Sequence, residues 1–212
     1  MSFLSSLWRT VTDTIVPPRK TEILLRKLSL ENVSSMRRPL SVGKVEAWLP
    51  YEDSRVQALI WELKYYDSSA CVSILGSLLS NELPGLLHEL LTNRALLIPI
   101  PLHPKRKRAR GYNQTEKITA FAASAAQDLI EHAPDVLVRK VDTPRQTALS
   151  RAKRLHNVKG AFEVTDPKKI EGRVCIVVDD VVTTGSTLTE AGSVLTSAGA
   201  EKVILIALAA AG

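Results

Sequence analysis

Three apolar runs punctuate the chain: "ALLIPI" at 95–100, "VCIVV" at 174–178 and "VILIALA" at 203–209. None alternates apolar with polar, as a strand wetted on one face would. They suit strands covered on both faces of a parallel sheet. The pattern predicts strands at 95–100, 173–178 and 202–209, with shorter ones at 44–49, 137–139 and 161–164. Elsewhere the apolar period is helical. Val56, Leu59, Ile60 and Leu63 recur at i, i+3, i+4, i+7 behind a capping Asp53 or Ser54, predicting a helix to Tyr65. Ile74, Leu75, Leu78 and Leu79 mark the next, with Ser69 as its cap. Further helices are expected at 21–28, 30–36, 113–129 and 186–197, the last stopped by Gly199. Strands alternating with helices indicate a doubly wound α/β fold: a central, mostly parallel sheet flanked by helices.

Phe3, Leu4, Leu7, Trp8, Val11 and Ile15 give residues 3–16 one greasy helical face, ended by Pro17 and Pro18. That face either docks on the protein's own body or meets a partner or membrane surface. Residues 1–50 read as this helix plus a small hood made of the early helices and first strand, and 51–212 as the main domain. No internal repeat interrupts either part.

Composition changes the picture little. In 212 residues, 28 Lys and Arg against 22 Asp and Glu give a net charge of +6, which favours anionic partners. Cys71 and Cys175 both sit in apolar contexts and read as buried thiols; with no Cys/His cluster, zinc is not expected. No segment reads as the run of ~20 apolar residues that a membrane span requires. No secretory signal is visible, and a reducing cytoplasmic setting is expected.

The chemistry concentrates in "RVCIVVDDVVTTGST", residues 173–187. An apolar strand ends in Asp179 and Asp180. Val181 and Val182 follow, then Thr183, Thr184, Gly185, Ser186 and Thr187 lead into a helix. Ligands of open parallel sheets bind beyond the carboxyl ends of the strands. A helix start adds free N–H groups and a positive dipole end, the hydroxyls add donors, and Gly185 lets the backbone approach closely. Together they make a phosphate cradle. Two carboxylates repel a phosphate, so they call for hydroxyls or a cation such as Mg²⁺ beside it. A sugar phosphate satisfies both halves. Neither G-x-x-x-x-G-K-[ST] nor G-x-G-x-x-G occurs in the chain.

The segment 101–111 is expected to be a basic loop at the same sheet edge, with His103, Lys105, Arg106, Lys107, Arg108 and Arg110. It reads as a pyrophosphate contact, a solvated basic surface, or a patch for nucleic-acid phosphates. A long polar segment at 140–159 carries Arg151, Lys153 and Arg154, which can reach over a bound anion, and His156, which reads as a surface residue.

The stretch "VCIVVDDVVTTGST" resembles the phosphoribosyl-pyrophosphate (PRPP) motif of type I phosphoribosyltransferases. The resemblance implies that Asp179 and Asp180 engage ribose hydroxyls and Mg²⁺, and that residues 181–187 hold the 5-phosphate. "LKYYDSSA", "PLHPKRKRARGYNQTE" and "RQTALSRAKRLHNVKGAF" precede it in an order similar to that of the ComF family, some of whose members are linked to DNA uptake. That match runs from about residue 45 to the end. Many ComF proteins begin with a cysteine-rich zinc ribbon, whereas this chain has no cysteine before Cys71.

Two functions follow as expectations. In the first, PRPP with Mg²⁺ donates ribosyl 5-phosphate to a nitrogen acceptor, and Arg106, Arg108, Arg110, Arg151 and Arg154 stabilise departing pyrophosphate. The context would be competence or nucleotide salvage. In the second, the fold is a non-catalytic module for single-stranded DNA or a DNA-uptake or recombination protein, with Tyr65, Tyr66 and Tyr112 as stacking candidates. A sensor that binds PRPP without turnover stays open beside them. Homodimers are common in this fold class.

Overall fold

In a computed structural model the chain is described over residues 19–89, 94–142 and 158–211. The expected amphipathic helix at 3–16 and the cationic residues Arg151, Lys153, Arg154 and His156 lie outside the described residues.

The first described elements are α1 (Lys20–Leu25), α2 (Leu30–Ser35), β1 (Leu40–Val42) and β2 (Val45–Pro50). Then follow α3 (Ser54–Tyr65), α4 (Ser69–Glu89), β3 (Ala95–Pro99), α5 (Pro104–Arg110) and α6 (Gln114–Ala125). The chain continues with β4 (Ile130–His132), β5 (Leu137–Arg139), β6 (Phe162–Val164), β7 (Val174–Val182), α7 (Ser186–Ser197) and β8 (Lys202–Ala210). A six-stranded sheet runs in the order β1-β2-β8-β7-β3-β4, parallel throughout except for β1 against β2. One face buries Leu59, Leu63, Leu75, Leu79 and Ile118 from α3, α4 and α6 against Ile176, Val178 and Ile206. The other buries Leu188, Ala191 and Leu195 of α7, with Leu137 and Phe162, against Cys175, Val177 and Ala207. This is the expected α/β architecture, a mostly parallel sheet flanked by helices, with its apolar strands covered on both faces.

Several expectations need correction. The basic segment 101–111 is largely helical: the His103 ring caps α5, Pro104 occupies its first turn, and Gly111 ends it at φ 87°. A helix whose one hydrophobic residue is Ala109 carries no apolar periodicity, so only the end signals betray it. The strand expected to stop at Val178 continues through Asp179 and Asp180 to Val182, because Ala207, Ala209 and Ala210 of β8 pair alongside. Ser68 rather than Ser69 caps α4, its Oγ accepting from the Cys71 N–H at 3.4 Å. The helix expected at 113–129 stops at Ala125, and the short strands β1 and β4 were not anticipated. The boundary expected near residue 50 falls at the end of β2, yet β2 is bonded to β8 in the central sheet while α1 and α2 pack on α3 and α4. α4, with 21 residues and a mean hydropathy of 1.3 in its most apolar window, is long and apolar enough to cross a membrane by length and composition alone. No such segment was expected. Its Cys71, Leu75, Leu78, Leu79, Leu83 and Leu87 are buried in the core.

Candidate functional site

The turn from β7 into α7 forms an open pocket lined by Asp179 and residues 181–188. Gly185 sits at the start of α7 with φ 77°, and no side chain caps the helix from that position. The Ser186 N–H instead donates to Thr184 Oγ1 at 3.5 Å, and the positive end of the α7 dipole lies at the pocket. A side chain on Gly185 would be strained at this φ, and its Cβ would come within 3.1 Å of the Val42 carbonyl. The β1–β2 hairpin thus braces the loop from behind. Thr184 Oγ1 and Ser186 Oγ are 3.0 Å apart, so each orients the other.

Strand alternation sends the acidic pair to opposite faces. Asp179 lines the pocket. Asp180, only 4% exposed, faces α3 and α6. There Lys64 Nζ lies 2.9 Å from its Oδ1, and Gln114 Nε2 donates to its Oδ2 at 2.7 Å. Arg110 in turn donates to the Gln114 Oε1. Asp179 Oδ1 accepts the Asp180 N–H at 2.8 Å. Burial, then the neighbouring Asp180 charge, raises the Asp179 carboxyl well above the usual carboxylate range, and Lys64 opposes the rise. Burial pulls the Lys64 ammonium down, but Asp180 outweighs it and the net displacement is upward.

Helical geometry divides the three described arginines of the basic segment. Positions 106 and 110 share a face and are half-buried; Arg108 points the other way and is exposed. Arg106 Nε is 3.1 Å from Asp142 Oδ1. On the outer side Lys107 pairs with Glu116 at 3.0 Å.

Comparison with known proteins agrees with this geometry. Residues 117–212 match the phosphoribosyl transferase domain family. Competence protein F of Haemophilus influenzae is 34% identical over 116 residues, covering 54% of this chain and 50% of that protein. DNA utilization protein YhgH of Escherichia coli O157:H7 is 34% identical over 149 residues, covering 68% of this chain and 63% of that protein. The chain is similar to these competence and DNA-utilization proteins, and its C-terminal part to the phosphoribosyl transferase domain. It spans between half and two thirds of these two relatives. Among solved structures, phosphoribosylpyrophosphate synthetase from Mycobacterium smegmatis aligns with 64% of the chain and 33% of its own length, at 17% identity and a TM-score of 0.37.

Two residues of this chain escaped the reading of its sequence. Arg139, on β5, is 8% exposed, with its guanidinium 5.4 Å from the Phe162 ring centre. Burial lowers its pKa, Arg106 lowers it further, and Asp179 and Asp142 pull it back. The site therefore holds a desolvated cation beside Arg106, where an anion gains most. Nothing in "DVLVRK" marks this arginine apart from its place in a strand. Lys64 had a legible signal: it falls four residues after Ile60, on the buried stripe of α3, where a lysine needs an acidic partner.

Proposed function

We propose that this chain binds PRPP as its magnesium complex and transfers ribosyl 5-phosphate to a nitrogen nucleophile. The observation that carries the reading is the hydroxyl loop at the start of α7, opening beside Asp179 at the carboxyl edge of the sheet. The 5-phosphate takes the amides and hydroxyls of residues 183–187. Asp179 accepts from the ribose hydroxyls. The C1–O bond breaks with its electron pair leaving on pyrophosphate, the acceptor's lone pair forms the C1–N bond, and the acceptor's proton passes to solvent. Arg106, Arg110 and Arg139, joined by Arg151 and Arg154, stabilise the charge that accumulates on the leaving group, while Arg108, on the opposite face of α5, does not reach it. Positioning and electrostatics supply the catalysis without a covalent intermediate. Calorimetric titration with PRPP, with and without Mg²⁺, tests this. Magnesium-dependent binding lost in Asp179→Asn is expected; absence of binding in both conditions sinks it.

One observation favours a second reading. Trp61, Tyr65 and Tyr66 are each about half exposed (50%, 48% and 47%) on or just after α3. The Trp61 and Tyr65 rings stand 4.4 Å apart, and the Arg19 guanidinium lies 3.6 Å from the Tyr66 ring centre. Aromatics among cations suit the bases and phosphates of single-stranded DNA. The competence and DNA-utilization names of the relatives point to the same setting. Salt-sensitive gel shifts lost in a Trp61→Ala, Tyr65→Ala variant support this reading; no shift at low salt removes it.

A further inference from the structure

An acidic pair at a phosphate pocket raises the question of what neutralises it. A resident Mg²⁺ held by both acids needs carboxylate oxygens turned to one place. Here both Asp180 oxygens are engaged by Lys64 and Gln114, on the face away from the pocket, and one Asp179 oxygen accepts the Asp180 amide. Among the described residues no group of three His, Cys, Asp or Glu converges to complete a metal shell. A resident ion bridging the pair does not fit this arrangement.

The pair is nevertheless not left uncompensated. Lys64 comes from the last turn of α3, its side chain three quarters buried, and its charge acts on Asp179 as well as Asp180. Gln114, at the start of α6 and 4% exposed, completes the shell of Asp180, and its own carbonyl is taken by Arg110. Each polar atom in this row has a partner, as a buried network requires.

We propose that Lys64 is the built-in counter-ion of the acidic pair. It fixes Asp180 as a positioning residue on the α3–α6 side, leaves Asp179 as the acid of the pocket, and stands where a resident divalent ion would otherwise be drawn. The divalent ion then enters only as part of a diphosphate-bearing substrate. This last clause rests on the PRPP reading; the counter-ion role does not.

The test uses the full chain and Mg²⁺ alone as probe, read by thermal melting, followed by PRPP titration. Wild type and Lys64→Arg keep the internal cation, so millimolar Mg²⁺ leaves their melting temperatures unchanged. Lys64→Met keeps the length and loses the charge. It melts lower, and Mg²⁺ restores part of the loss. The double variant Lys64→Met, Asp180→Asn removes both charges, recovers stability and loses the Mg²⁺ response. A purely structural lysine would lower the melting temperature without creating a Mg²⁺ response. A Mg²⁺-induced rise in wild type, or a folded Lys64→Met that ignores Mg²⁺, overturns the proposal. Should Lys64→Met fail to fold, Lys64→Gln, which keeps a hydrogen-bond donor for Asp180 but no charge, takes its place: it gains a Mg²⁺ response, and a folded Lys64→Gln that ignores Mg²⁺ overturns the proposal. In the PRPP arm Lys64→Arg, which keeps the internal cation, binds within a few-fold of wild type; a loss as complete as that of Asp179→Asn contradicts the counter-ion role of Lys64. If wild type itself does not bind PRPP, the functional reading fails while the Mg²⁺ arms still stand.

Discussion

The Phe121 ring lies where a side chain on Gly76 would have to go: a Cβ there would be 2.5 Å from its Cδ1 and 2.9 Å from its Cβ. Helices α4 and α6 approach this closely because position 76 has no side chain. The nearest atoms include the base of Phe121, which moves only with its backbone. Gly76→Ala is expected to destabilise the protein by about 1–3 kcal/mol despite alanine's better helix propensity. Urea unfolding measures this; an unchanged midpoint would mean that α6 yields freely.

Arg19 holds Glu62. The carboxylate is 2% exposed and receives Arg19 Nε at 2.9 Å, Arg19 Nη2 at 2.7 Å and the Thr21 hydroxyl at 2.5 Å. The Arg19 hydrogen bond lowers its pKa more than burial raises it. A carboxyl depressed in the folded state stabilises above its unfolded pKa, about 4.3, and loses that contribution as pH falls through its folded value. Arg19→Met therefore costs on the order of 1–3 kcal/mol at neutral pH, by leaving the carboxylate buried with fewer donors. The gap between variant and wild type closes in acid. Melting curves from neutral to acidic pH give the comparison, and a pH-independent gap contradicts the ion-pair account.

Asp179 has the opposite sign. Its carboxyl is raised by burial and by Asp180, so folding takes up protons and stability falls as pH climbs above the ordinary carboxylate pKa, about 3.9. Asp179→Asn keeps an oxygen for the Asp180 amide and removes the charge. It is expected to melt higher than wild type at neutral pH without ligand, with the advantage vanishing in acid, and to lose PRPP binding. A variant that is both less stable and still binds would place Asp179 outside the site.

Arg139 is the test of the leaving-group side. Arg139→Met retains the contact with Phe162 and removes a desolvated cation. The expected result is little change in melting temperature but PRPP affinity weakened about tenfold or more, roughly 1.4 kcal/mol. Equal affinity would assign the charge stabilisation to the α5 arginines alone.

What could be read from the sequence, and what could not, divides by range. The helix at 186–197 matched to the residue, because its apolar spacing and the Gly199 stop are local. The turn at 183–185 was equally legible as the link from strand to helix. The basic segment was misjudged as a loop because its seven-residue helix has no apolar face, although Pro104 and Gly111 bracket it. β1 and β4, three residues each, are too short to carry a period. The network round Asp180 is assembled from α3, α6 and β7, so its members have no common spacing. The motif announced two acids side by side; only the pleat of β7 shows that they look in different directions.

The pairing of β2 with β8 bears on modularity. The stretch that matches the transferase family starts at residue 117, yet β8 within it is hydrogen-bonded on one side to β7 and on the other to a strand from residues 45–50. Excised at residue 51, the remainder would carry a nine-residue, largely apolar strand with a bare edge, an invitation to intermolecular pairing. It would also lack the Val42 carbonyl behind Gly185. The catalytic-looking half is therefore not a portable cassette. Domain grafts and minimal expression fragments should retain the β1–β2 hairpin, and recombination between relatives is best tolerated when hairpin and loop travel together.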